Sequence, residues 1–190
     1  MKGLEEIEMR KIIAALQMSL NGVVEAPETW VFPHGYSNGE MEQEIGSSMA
    51  ASDIMLLGRV TYEVFAAHWP HQTGDIADFM NNAPKVVVST TLRTADWQNS
   101  TLISGNVVEE LTRLKQQPGK DINVVGSATL LRSLLREGLL DELKLIVCPI
   151  LVGSGKRLFE DGGAEAPLRL VDARTFSTGV QSLTYTPAGG

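Results

Sequence analysis

A chain of 190 residues, 43% hydrophobic and 21% charged, has the composition and length of one ordinary globular domain. Such a domain buries about 70% of its unfolded surface. Its formal net charge of −7 argues against nucleic acid or an anionic membrane as partner, but leaves room for a small phosphorylated ligand in a local basic pocket. Cys148 is the single cysteine, which excludes an intrachain disulfide and fits a reducing compartment. It precedes Pro149 in an apolar run and reads as a buried small hydrophobe. Glu5, Glu6 and Glu8 give the start of the chain the wrong charge for a signal peptide, and the apolar run Ile12 to Leu16 is too short to span a bilayer. The expectation is a loose extension over residues 1–8, then a single cytoplasmic domain over 9–187.

In chain order, Arg10 to Leu16 reads as the first strand, ended by the turn Ser19-Leu20-Asn21-Gly22. Pro27 to Asn38 reads as a loop carrying Trp30, Phe32, His34 and Tyr36. Gly39 to Ala51 reads as a helix, with Ser37 or Asn38 as N-cap and Met41, Ile45 and Met49 as its apolar stripe. Ile54 to Leu57 is a short continuous apolar run, as in a strand covered on both faces, and it stops at Gly58 where Arg59-Val60-Thr61 opens a helix. A short helix over Asp75–Asn82, a strand over Lys85–Ser89, a strand over Thr101–Ile103 and an amphipathic helix from Val107 follow. Ile122 to Val125 is another apolar strand, stopped by Gly126-Ser127, and the next helix buries Leu130, Leu131, Leu134 and Leu135 before Gly138. Glu142 to Cys148 is a strand, Pro149 to Gly163 a Gly-rich loop, and Leu168–Phe176 with Val180–Tyr185 a terminal hairpin. Strands alternating with helices predict an α/β sheet, mostly parallel, with an antiparallel C-terminal edge.

Three strand ends carry similar chemistry: Gly58-Arg59-Val60-Thr61, Ser89-Thr90-Thr91 and Gly126-Ser127-Ala128-Thr129. In an open parallel sheet these ends share one rim, where ligands bind. Helix starts there offer N–H groups without intrahelical partners, and hydroxyls add donors. Three such turns suit an extended phosphate-bearing ligand, and a dinucleotide has that length. The standard fingerprints are missing: no G-x-G-x-x-G, no P-loop around Gly155-Lys156, no G-x-S-x-G. His68 and His71 straddle Trp69-Pro70 without a cysteine pair, so no metal is expected.

In order and spacing, these pieces resemble a known family. Ser19-Leu20-Asn21-Gly22, Leu57-Gly58-Arg59-Val60-Thr61-Tyr62-Glu63, Val124 to Leu131, Gly138 to Leu143 and Pro149 to Gly155 are similar to the dihydrofolate reductase-like superfamily. Within it they resemble the reductase domain of bacterial riboflavin biosynthesis and its stand-alone relatives. The resemblance implies that fold, with NADPH as hydride donor. It also implies a heteroaromatic substrate, pterin-like or of the 5-amino-6-(5-phosphoribosylamino)uracil type, reduced at a C=N or C=O bond. It puts Gly58, Arg59, Thr61, Ser89, Thr90, Gly126, Ser127, Ala128, Thr129 and Leu130 against the cofactor, with Arg59, Ser89 and Thr90 near its 2′-phosphate. Asn21 stands where the family usually has Asp, and Val125 where the riboflavin enzymes usually have Glu. Relatives commonly pair, and the hairpin leaves a β edge to cover, so a homodimer is expected.

Toward substrate, Trp30 and Phe32 either stack on a flat ring or anchor their loop. Asn21 and the small residues Gly153, Ser154 and Gly155 complete the candidate substrate set. For the proton, Glu42 is the candidate catalytic residue. Counting back from Gly58 at folate-reductase spacing reaches it, and on a helix turning about 100° per residue it lies about 60° from the centre of the Met41, Ile45, Met49 stripe. Glu44 lies about 100° away on that wheel and Glu40 further. Two other functions stay open: a true dihydrofolate or pterin-type reductase, and a non-catalytic nucleotide-binding dimer on the same fold.

Overall fold

The computed structural model describes residues 9–160, 162–163 and 165–188; the extension expected over residues 1–8 lies outside them. The elements are β1 (Ile12–Ser19), α1 (Glu28–Val31), α2 (Gly39–Ala50), β2 (Ser52–Gly58), α3 (Arg59–His68), a 3₁₀ turn (Trp69–His71), α4 (Asp75–Asn82), β3 (Lys85–Val88), β4 (Ser100–Ile103), α5 (Val107–Lys115), β5 (Asp121–Val125), α6 (Ala128–Arg136), β6 (Glu142–Cys148), β7 (Leu168–Thr175) and β8 (Gln181–Pro187). The strands form one eight-stranded sheet in the order β4-β3-β2-β5-β1-β6-β8-β7. The first six positions are parallel; β8 pairs antiparallel with β6 and with β7. The expected α/β sheet with an antiparallel edge is therefore present.

Two expectations shift. The first strand runs to Ser19, because its pairing with β6 continues to Ser19 opposite Cys148. The segment read as a loop from Pro27 contains helix α1, a single turn too short to show a period.

One face of the sheet is closed. Ile12, Ala14 and Leu16 of β1, Leu56 of β2 and Ile122 and Val124 of β5 pack with Leu111 of α5 and Leu130, Leu131 and Leu134 of α6. The opposite face is split into two clusters. Trp30, Val31, Met41, Ile146, Cys148 and Phe176 form one; Met55, Leu57, Tyr62, Met80, Val87 and Trp97 form the other. Helix α2 straddles them, with Ile45 against the first and Met49 against the second. Its N-cap is Asn38, whose Oδ1 accepts from the Met41 N–H at 3.1 Å. Cys148 is fully buried, and burial pushes its thiol up to about 11, so it packs as the expected small hydrophobe. Among the described residues no helix is long and apolar enough to cross a membrane.

Candidate active site

The C-terminal ends of β2 and β5 lock together. A Cβ on Gly58 would collide with the Ser127 hydroxyl and lie 3.1 Å from the Ser127 Cβ. A Cβ on Gly126 would lie 3.0 Å from Thr61 Oγ1, and Gly126 also sits at φ +61°. A side chain at Gly58 would have to displace Ser127, and one at Gly126 would press on Thr61 from a left-handed backbone. Each end opens a helix, α3 from Gly58 and α6 from Ser127, and both starts line one cleft. Gly58 supplies no side-chain cap to α3, so the first N–H groups of that helix remain available to an anion.

The cleft has a volume of about 2320 Å³, more than the roughly 300–1,000 Å³ of a pocket for one small ligand. Gly58, Arg59, Thr61, Ser89, Thr90, Gly126, Ser127, Ala128, Thr129 and Leu130 all line it. Arg59 pairs with Glu63 at 2.8 Å, and both side chains are nearly half exposed. A cation on the first residue of a helix opposes the helix dipole, and an anion bound there would relieve it. The buried Ser89 hydroxyl accepts from the N–H groups of Thr91 at 3.2 Å and Leu92 at 3.0 Å, which fixes the turn after β3. Lys156, which sequence reasoning missed, also lines the cleft and donates to Thr129 Oγ1 at 3.0 Å. Its own N–H is held by Glu25 at 3.0 Å.

Farther in, the cleft runs between α2 and the sheet. Ala15 and Gln17 of β1, Asn123 and Val125 of β5 and Lys144 and Ile146 of β6 line the sheet side; Glu44, Ile45, Ser48 and Met49 line the helix side. The three N-terminal glutamates of α2 separate here. Glu40 is tied to the hairpin turn, accepting from the Ser177 N–H at 2.8 Å; hydrogen bonds from Ser177 and Asn38 hold its carboxyl below the usual range. Glu42 is exposed and outside the cleft lining. Glu44 lines the cleft with its side chain 17% exposed, in an ion pair with Arg174 of β7 at 3.2 Å.

The expected order of Glu42 and Glu44 is thus reversed. Ser48 is buried beside the expected stripe of Met41, Ile45 and Met49. On a helix turning about 100° per residue it lies on the Glu44 side of Met41, which widens the covered face toward Glu44. A small serine against the sheet carries no apolar signal, so the sequence alone did not show that side as covered.

The remaining candidate substrate residues lie outside the cleft lining. Trp30 is buried and donates from Nε1 to the Glu25 carbonyl at 3.1 Å, the anchoring geometry; Phe32 is exposed. Asn21 clamps the β1 turn to the following loop. Its Nδ2 donates to the Val152 carbonyl at 2.8 Å and its Oδ1 accepts from the Val152 N–H at 3.0 Å. An aspartate could make only the second of these bonds. Gly153, Ser154 and Gly155 continue that loop, and the close neighbour of Gly155 is Val23, where a Cβ would meet Cγ1 at 2.7 Å. His68 and His71 are exposed, and among the described residues no cluster of three potential metal ligands occurs.

The model of the RibD C-terminal domain matches residues 10–182. The chain belongs to that family. It is 30% identical to the uncharacterized protein YyaP of Bacillus subtilis (strain 168), over 94% of this chain and 96% of that one. A candidate riboflavin biosynthesis protein from Shewanella sp. PV-4 superposes with a TM-score of 0.75 at 20% identity, covering 94% of this chain and 99% of the other. Dihydrofolate reductase from Enterococcus faecalis, complexed with NADP(H) and RAB-propyl, superposes with a TM-score of 0.56 at 13% identity, over 94% and 97% of the two chains. The fold is therefore dihydrofolate reductase-like.

Proposed function

We propose that this RibD C-terminal domain protein is an NADPH-dependent reductase acting on a C=N or C=O bond of a pyrimidine- or pterin-like substrate. The 5-amino-6-(5-phosphoribosylamino)uracil type is the leading candidate. The observation that carries this reading is the interlocked corner where Gly58 meets Ser127 and Gly126 meets Thr61. It brings two helix starts to one cleft and leaves no room for side chains between them.

The residues of the corner fit a dinucleotide. The first N–H groups of α3 and those of Ala128 and Thr129 in α6 suit a pyrophosphate, the Leu130 N–H being capped by Ser127 Oγ at 3.4 Å, and Lys156 beside Thr129 adds a cation at the start of α6. Arg59, with Ser89 and Thr90 across the rim, suits a 2′-phosphate. When bound, the cofactor supplies a hydride. Glu44 faces the inner cleft, where its carboxylate would accept hydrogen bonds from ring N–H groups and hold the substrate in place. Ile45 and Met49 would press on the ring from the helix side, opposite Ala15 and Val125. Exposed Leu170 and Val171 on the outer strand β7 suit a homodimer contact.

The test is consumption of NADPH, followed by absorbance, with ribosylaminopyrimidine and dihydropterin substrates in turn. Turnover of one of them supports the reading. Tight NADPH binding without turnover of any would favour the non-catalytic nucleotide-binding dimer.

A further inference from the structure

On the floor of the inner cleft, Asn123 of β5 is 8% exposed and lines the cavity. Its Oδ1 is buried and has no hydrogen-bond partner among the described residues. Buried amide oxygens are rarely left so, because burial removes the water that would otherwise satisfy them. The neighbours in its cross-strand row cannot help: Met55 on β2 and Ile13 on β1 are apolar. The charged side chains of the inner cleft are engaged, Glu44 by Arg174 and Lys144 by Glu142, and Gln17 donates from Nε2 to Met41 Sδ at 3.3 Å. Asn123 lies three residues below Gly126, about 10 Å from the rim at strand rise.

We propose that Asn123 reads the edge of the substrate ring, its side-chain amide pairing with the N–H and C=O of a flat lactam; this rests on, and deepens, the reductase reading. A primary amide carries an acceptor and a donor side by side, the complement of a lactam edge, and asparagine reads nucleobase edges in the same bidentate way. Val125 and Ala15 stand between Asn123 and the rim on the sheet side, with Ile45 and Met49 facing them from α2. A flat ring slid between those apolar side chains reaches Asn123 on the floor of the sheet side. An apolar residue here would pack the floor and leave a ring no edge contact.

The test is calorimetric titration, with saturating NADP⁺, of 5,6-diaminouracil and of its 1,3-dimethyl analogue, which lacks both ring N–H groups. Wild type should bind the free lactam at least tenfold tighter. Asn123→Leu should bring that ratio close to one, with NADP⁺ affinity unchanged and a thermal midpoint equal to or above wild type. Asn123→Ala serves should the leucine variant fail to fold. A ratio that persists in the variants, or a wild type that binds neither pyrimidine or does not discriminate between them, overturns the proposal. Failure of wild type to bind NADP⁺ overturns the cofactor reading instead, and the same two pyrimidines titrated without cofactor then decide the role of Asn123.

Discussion

Lys85 and Asn123 occupy one cross-strand row, separated only by Met55 on β2. Both are buried polar side chains on the same face of the sheet, yet they are treated in opposite ways. The Lys85 ammonium donates to the carbonyls of Ala83 at 2.8 Å, Asn81 at 3.0 Å and Gln98 at 3.1 Å, and lies 4.1 Å from the Trp97 ring centroid. Trp97 is itself held, its N–H donating to Tyr62 Oη and its Nε1 to Asn81 Oδ1. Asn123 lines a cleft and carries a buried acceptor with no partner among the described residues. Where a buried polar group is caged by its own chain, it ties loops to the sheet. Where it is left open beside a cleft, the missing partner comes from outside.

The largest expected effect is at the corner. Gly126→Val would drive a β-branched side chain into Thr61 at a positive φ. It should weaken NADPH binding by more than about a hundredfold, the equivalent of roughly 2.7 kcal/mol, while lowering the thermal midpoint only modestly. A variant that binds NADPH as wild type would make the corner purely structural.

On the caged side, Lys85→Met should destabilise the fold by about 1–3 kcal/mol, because it strips an ammonium from buried carbonyls. It should leave cofactor affinity alone. Burial also pushes the Lys85 ammonium down to about 8, from an ordinary value of 10.5. Below pH 8 native and unfolded chains both hold this proton, and the burial penalty is fully present. Between about 8 and 10.5 the unfolded chain binds the proton that the native chain has released, so this group makes stability rise with pH. Thermal midpoints across that window should climb in wild type relative to Lys85→Met. Parallel curves would contradict the caged, desolvated lysine.

Arg59→Ala should weaken NADPH about ten- to a hundredfold, as befits a charge-assisted contact worth about 1.5–3 kcal/mol, and leave NADH nearly unchanged. Equal losses for both cofactors would remove Arg59 from the 2′-phosphate. The smallest effect expected is on α2. Glu44→Gln should lower turnover about tenfold with NADPH affinity kept, whereas Glu42→Gln should act like wild type. The reverse ranking would restore Glu42 to the substrate side.

The sheet was readable because its central strands are continuous apolar runs, such as Ile54–Leu57 and Ile122–Val125, each stopped by a glycine turn. The rim was readable for the same reason, since those turns carry the small residues and hydroxyls. The cleft floor was not. Gln17, Asn123 and Lys144 are single polar residues inside apolar strands, and only the register among β1, β5 and β6 puts them on one face. Lys156 was hidden by its loop, which returns to α6 through a bridge between Arg157 and Val23 that no local pattern announces.

The most direct measurement is an equilibrium titration of the wild-type protein with NADPH and, separately, with NADH. The corner, the uncapped start of α3 and Arg59 together require saturable binding of one NADPH per chain, at least tenfold tighter than NADH. No saturable binding of either cofactor would contradict the account at its centre.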